Sequence, residues 1–241
     1  MSQLAQRLFM AAGGGKKDPT YVEDVFSTYL YRGNDNYINV TNGVKLGNAN
    51  AGGSLYFDKS GDYLSTANAS TDFTMGTGDF TVECWVYIRD VGTINGFWQI
   101  SNTAGGFDSN FGATLAVAWD HQAGQGWQIY GAGTYNKTST NPPSNNTWYH
   151  TAYVRSSGTS KLYIDGTAVI TQADTYNYAG QYIVVGGYYN ASYLMGGEIS
   201  NLRVVKGTAL YTSNFTPPTK ELTDITNTKL LCCQSSTSAT A

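Results

Sequence analysis

The chain has 241 residues, a net charge of −3, and only 13% charged residues against 28 glycines and 19 tyrosines. That length suits one large all-β domain or two small ones and allows a sizeable core. The acidic balance and the single basic doublet, Lys16-Lys17, exclude a nucleic-acid footprint, and no apolar run approaches membrane-spanning length.

Residues 2–12 predict a short amphipathic helix. Leu4 and Leu8 lie four apart, as do Ala5 and Phe9, and Gly13-Gly14-Gly15 ends the pattern. The same stretch is a poor secretory signal, with no positive charge before a short LFMAA core. A helix this short is marginal alone, so the stretch reads either as a free arm or as a docking arm, the latter because Leu4, Leu8, Phe9 and Met10 are costly to leave in water. The next segment, residues 21–47, holds strand-like FSTYLY and YINV around an Asn/Gly-rich connection. It reads as an adaptor, which gives a docking and adaptor unit over residues 1–50.

From Gly53 strands follow in close succession. SLYFD turns through KSG into DYLST. FTVECWVYIRD alternates: Val82, Cys84, Val86 and Ile88 share one face, and Thr81, Glu83, Trp85, Tyr87 and Arg89 the other. The second face is still aromatic, as in a strand covered on both sides. FWQIS, ATLAVAWD and GWQIYG come next. Three strands then span residues 147–171, turning at SSGTS and at Asp165-Gly166, the strongest short hairpin signal in the chain. QYIVVGGYY, GEISNLRVV and KLLCCQ complete the set, and residues 235–241 form a polar tail. About a dozen short strands without a long helix predict an all-β jelly-roll sandwich over residues 51–234, preceded by a short N-terminal helix. Cys84, Cys232 and Cys233, an odd count with an adjacent pair, read as reduced, buried thiols of a chain made in a reducing cytoplasm.

Four pieces in order, GSLYFDKSGDYLS, FTMGTGDFTVECWVYI, NTWYHTAYVRSSGTSKLYIDGTAV and YLMGGEISNLRVVKGTALYTSNFTPPT, resemble the laminin-G-like, concanavalin A-like lectin/glucanase domains. The first two look like that family's opening hairpins. The ending KGTALYTSNFTPPTKELTDITNTKLLCCQ and the segment YVEDVFSTYLYRGN are similar to the version found in virion proteins of tailed phages, marine ones especially. The resemblance implies a jelly roll displayed on a virus particle. In it, Ile199, Leu202, Val204 and Val205 are core residues of a late strand. Leu210, Tyr211 and Phe215 would plug the sandwich end before Pro217-Pro218 leads back to the last strand.

Glycanases of this fold carry paired carboxylates on one strand, and no second acid lies two residues from Glu83, so no enzymatic activity is expected. His150 shares a strand face with Ala152 and Val154 and reads as a buried, hydrogen-bonded histidine. Asp120-His121 lies at a hairpin turn, either as turn chemistry or as a ligand contact. Related laminin-G-like domains hold calcium on rim loops. Here Asp108, Asp120 and Asp174 are the candidate donors, but three scattered carboxylates do not specify six to eight oxygens, and no other cofactor is implied. A sugar-binding face is the more concrete expectation, because sugars stack on rings and hydrogen-bond around them. Its candidates are Trp98, Trp119, Trp127, Tyr130, Tyr188, Tyr189 and Tyr193. The expected role is a phage virion structural protein, made in the host cytoplasm and displayed on capsid or tail as a decoration, appendage or fibre component. Its expected partners are other virion proteins, copies of itself and host-surface glycans. The alternative is a host-surface carbohydrate-binding adhesin acting mainly in adsorption.

Overall fold

The computed structural model describes residues 28–30, 37–41, 45–49, 52–109, 114–122, 125–138 and 140–233. The expected helix with its docking residues Leu4, Leu8, Phe9 and Met10 lies outside them, as does the tail over 235–241. The described chain is all-β apart from one turn of 3-10 helix at Thr71–Phe73.

The strands in chain order are β1 (Thr28–Leu30), β2 (Tyr37–Thr41), β3 (Lys45–Ala49), β4 (Gly52–Asp58), β5 (Tyr63–Thr66) and β6 (Phe80–Ile88). Then come β7 (Asn95–Ser101), β8 (Leu115–Trp119), β9 (Trp127–Gly131), β10 (Thr134–Thr138), β11 (Thr147–Ser156) and β12 (Thr159–Ile164). The last are β13 (Thr167–Ala173), β14 (Tyr182–Val185), β15 (Gly187–Tyr188), β16 (Asn190–Leu194), β17 (Gly196–Lys206) and β18 (Thr228–Cys232). The front sheet runs β1-β2-β5-β14-β7-β8-β9-β10, and the back sheet β13-β12-β11-β6-β17-β4-β3, with β18 also on β17. Every pairing is antiparallel, which makes the jelly-roll sandwich. The two-stranded hairpin β15-β16 stands apart from both sheets.

The alternation of β6 sets the core. Val82, Cys84, Val86 and Ile88 are fully buried between the sheets, beside Leu55, Phe57, Trp98 and Trp127. Ile199, Leu202, Val204 and Val205 of β17 are equally buried. All three cysteines are free and buried. Asp165-Gly166 turns with φ of 48° and 76°, and Ser157-Gly158 with 49° and 76°, the left-handed pair that a two-residue hairpin needs.

Three expectations need correction. SLYFD and DYLST do not pair as a hairpin: β4 pairs β3 and β17, while β5 pairs β2 and β14. KSG is thus a corner that carries the chain from the back sheet to the front. Asp62, 1% exposed, closes it by accepting from the Asp58 amide at 3.1 Å. FTMGTGDFTVECWVYI is not a second hairpin either, since its first half holds the 3-10 turn and a single bridge from Gly76 to Tyr178. Finally, the segment read as an adaptor supplies strands to both sheets: β2 pairs β5, and β3 pairs β4.

The closing stretch is a strap rather than an end plug. Residues 207–222 cross the outer face of the back sheet. Tyr211 and Phe215, stacked at 3.6 Å, pack with Ala152, Val154 and Tyr163. Leu210 is half-buried. The Phe215 amide donates to the Gly166 carbonyl at 3.0 Å, and a Cβ on Gly166 would fall 1.8 Å from the Phe215 carbonyl oxygen. The hairpin glycine therefore serves twice: it turns the chain and it admits the strap.

Candidate functional site

On the outer face of the front sheet, strand alternation separates two kinds of side chain. β8 turns Leu115, Val117 and Trp119 into the main core and leaves Ala116 and Ala118 outside it. β9 turns Trp127 and Ile129 inward and leaves Tyr130 outside. The two alanines make a low floor, and tyrosines rise around it. Tyr130 lies 5.0 Å from Tyr135 across the β9-β10 pair and 5.1 Å from Tyr188 on the hairpin β15-β16. Tyr193 lies 5.5 Å from both Tyr188 and Tyr189. The hairpin sits this low because of Gly96 on β7. A Cβ there would fall 2.5 Å from the Tyr193 carbonyl oxygen and 2.6 Å from the Tyr188 ring.

These rings line an open cleft of about 220 Å³ with Ile94, Asp120 and Gln122. Asp120, 8% exposed, sits at the β8-β9 turn. Its Oδ1 accepts from the Gln122 amide at 2.9 Å, and its Oδ2 from Gln128 Nε2 at 3.2 Å. Gln128 Oε1 in turn accepts from the Tyr188 hydroxyl at 3.1 Å. Burial pushes the Tyr130 hydroxyl up to about 12, with the Asp120 charge adding to the rise. Burial pushes Tyr135 and Tyr188 up as well. All three hydroxyls therefore stay protonated and neutral near pH 7. The cleft thus offers flat rings, hydroxyls that donate or accept, side-chain amides and one carboxylate, which is the equipment for holding a polyhydroxylated ligand.

Of the seven expected sugar contacts, Tyr130, Tyr188, Tyr189 and Tyr193 converge here. The three tryptophans do not. Trp98 and Trp127 are fully buried, and Trp127 donates to the Asn141 carbonyl at 2.7 Å. Trp119 is 7% exposed, packs on Trp127 at 5.5 Å and donates to the Val91 carbonyl at 2.9 Å. Trp119 and Trp127 occupy inward registers of the side-chain period of two, and Trp98 is turned inward past the register shift between Gly96 and Trp98. Tyr135, Gln122, Gln128 and Ile94 were missed. Tyr135 was missed because β10, TYNKT, has no apolar alternation. Its signal was the Ala132-Gly133 turn, with φ of 53° and 68°.

The calcium candidates do not assemble. Asp174, 1% exposed, accepts from Arg155 Nη1 at 3.4 Å, from the Tyr176 amide at 3.2 Å and from the Tyr178 hydroxyl at 2.9 Å. It is the counter-ion of a buried arginine. Asp120 belongs to the cleft, and Asp108 meets Gln99 through its backbone. Among the described residues no three His, Cys, Asp or Glu side chains converge on a metal-sized site.

A second polar cluster lies under the strap. Glu83, fully buried, accepts from Arg203 Nε at 3.0 Å and from the Tyr211 hydroxyl at 2.8 Å, and its Oε2 is 3.2 Å from His150 Nε2. Burial alone would raise the Glu83 carboxyl, but His150 and Arg203 outweigh it and hold it below its usual value. His150 is buried on the face shared with Ala152 and Val154, as its spacing predicted.

A laminin-G model described as the concanavalin A-like lectin/glucanases superfamily matches residues 58–210. The chain belongs to this superfamily. No match was found among curated proteins. Among solved structures, this lectin/glucanase sandwich is similar to domain 4 of AbnA, a GH43 extracellular arabinanase from Geobacillus stearothermophilus, in complex with arabinotriose. The TM-score is 0.55 at 14% identity, over 73% of this chain and 84% of that one. It is also similar to Trypanosoma rangeli sialidase in complex with the inhibitor DANA, with TM-score 0.52 and 14% identity over 79% of this chain and 30% of that one. A full-length tailspike protein 2 from an Escherichia coli bacteriophage, CAB120, shares TM-score 0.50 and 15% identity over 76% of this chain and 27% of the tailspike. The chain thus spans most of the arabinanase domain and under a third of the other two. At these identities the likeness is one of fold. Among the described residues no helix is long and apolar enough to cross a membrane.

Proposed function

We propose that the protein is a component of a tailed-phage virion, carried on the capsid or tail, whose jelly roll binds host-surface carbohydrate in the tyrosine cleft. The observation that carries the binding half is the cleft itself: five tyrosines around a low alanine floor, with Asp120 and Gln122 at its edge. An arabinanase domain of similar fold, solved with arabinotriose, agrees with a saccharide as ligand. The virion half rests on the phage-like ending over residues 206–234 and agrees with the fold shared with a tailspike.

The role is binding without catalysis. Glycoside hydrolysis on such a face takes two carboxyl groups about 5–10 Å apart, and among the described residues one carboxylate lines this cleft. The docking arm at Leu4, Leu8, Phe9 and Met10 attaches the protein to its virion partners, and copies of the chain assemble there with one another.

The test has two parts. Quantifying the protein against the major capsid protein in gradient-purified particles gives its copy number: hundreds mean a capsid decoration, about a dozen a tail or vertex position, and none removes the virion reading. Binding of the folded protein to host polysaccharide, compared with a Tyr189→Ala/Tyr193→Ala variant, tests the cleft. An adhesin acting mainly in adsorption is the second reading, favoured by the openness of the cleft, and low copy number with strong binding would select it.

A further inference from the structure

The charge of the cleft narrows its ligand. Among the described residues that line the cleft, Asp120 is the single side chain of full charge, and none is a lysine or arginine. It is 8% exposed and held in place by the Gln122 amide and Gln128 Nε2. The neighbouring imidazole of His121 has its Nδ1 3.8 Å from Asp120 Oδ1 and is largely exposed. The lysine that approaches this end, Lys137, is exposed and directed to Gln125 Oε1 at 3.0 Å, with its ammonium 5.6 Å from the Tyr135 ring centre. A charge in solvent is screened strongly, while a nearly buried carboxylate is not. The ring faces add to the same sign, because an aromatic face carries negative quadrupolar potential.

We infer that the cleft selects uncharged saccharides and rejects acidic ones, with Asp120 as the residue that sets the discrimination. This rests on the carbohydrate reading of the cleft and adds the substrate class to it. A uronic or sialic acid would place its carboxylate where the described lining offers no cationic partner, next to a fixed carboxylate and five ring faces. A neutral sugar gives Asp120 hydroxyls to accept, and finds donors and acceptors in Gln122 and the tyrosine hydroxyls. Burying a carboxylate without a partner is costly, whereas a hydroxyl pays only for the bonds it fails to make.

The test uses matched pairs that differ in the charge of their carboxyl groups: the methyl ester of 3′-sialyllactose against 3′-sialyllactose, and methyl-esterified galacturonan oligomers against the free-acid oligomers. Each pair is titrated calorimetrically into the full chain at 20 and 500 mM NaCl. The neutral member should bind at least about tenfold more tightly at low salt, and the gap should shrink at high salt as the repulsion is screened. Asp120→Asn should narrow the low-salt gap several-fold, and the salt series stands alone if that variant does not fold. Equal or tighter binding of the acidic members overturns the inference while leaving the cleft as a sugar site. Absence of binding by every member, with no change on Tyr189→Ala/Tyr193→Ala, overturns the carbohydrate reading and this inference with it.

Discussion

The hydroxyl of Tyr211 donates to Glu83 Oε2 at 2.8 Å across a separation of 128 residues, and by that bond the closing strap is fastened to the back sheet. The same carboxylate takes Arg203 and approaches His150, so the strap covers a charge already paired from two neighbouring strands. Tyr211→Phe keeps the stack on Phe215 and removes one bond to a charged acceptor. Stability should fall by about 1.5–3 kcal/mol in urea denaturation. Sugar binding should not change, because strap and cleft lie on opposite sheets. A loss below about 0.5 kcal/mol would show that stacking alone holds the strap.

The Glu83 carboxyl titrates below its unfolded value near 4.5. A depressed acid contributes stability above that value and loses it as pH falls through the folded pKa. The protein should therefore lose stability progressively below about pH 4.5. Glu198 works in the other direction: burial raises its carboxyl, with Arg89 offsetting only part, so its contribution improves slightly on acidification. Glu83→Gln should cost about 3–5 kcal/mol at neutral pH, because it leaves Arg203 without its counter-ion, and should flatten the acid limb of the stability profile. Thermal melts from pH 3 to 8 on both proteins check both statements.

Tyr189→Ala and Tyr193→Ala each remove a half-buried ring from the cleft wall. Each should weaken binding about fivefold, the worth of roughly 1 kcal/mol per ring contact, with melting temperature nearly unchanged. Trp127→Phe should do the reverse: about 1–3 kcal/mol of stability lost with the indole volume and its bond to Asn141, and binding kept.

Gly166→Ala places a methyl on the Phe215 carbonyl oxygen at a φ of 76°. Stability should drop by more than about 2 kcal/mol. Hydrogen exchange should rise at the Phe215 amide, which bonds Gly166, before it rises in the core strands.

Asp174 is committed to Arg155, whose guanidinium also donates to the Gly76, Gly78 and Tyr176 carbonyls and lies 5.0 Å from the Phe80 ring centre. Asp174→Ala should cost about 3–5 kcal/mol by stranding that cation. A chelator should leave the melting temperature of the parent protein where it was.

Much of the sandwich could be read from alternation and turns. The inward faces of β6 and β17, the hairpins at Asp165-Gly166 and Ser157-Gly158, and the burial of His150 all follow local rules. What failed was pairing across the sheets. SLYFD-KSG-DYLST has the letters of a hairpin, but whether two strands pair or part at a corner depends on partners far along the chain, β17 for one and β14 for the other. The site was half legible for the same reason. An aromatic residue in a strand is equally visible on either face, and only the register of β7, β8 and β9 sends the tryptophans inward and Tyr130 outward. Tyr135 lay on a polar strand that no apolar pattern announces.

Gly96 sets a dimension. The hairpin β15-β16 rests on the front sheet at the contact distance of bare backbone, so the height of Tyr188, Tyr189 and Tyr193 above the alanine floor is gauged by a residue outside the cleft lining. Any side chain at position 96 would act as a shim, lifting the jaw that carries Tyr188, Tyr189 and Tyr193 away from the floor. The depth of the cleft is thus set from beneath, at a single buried position.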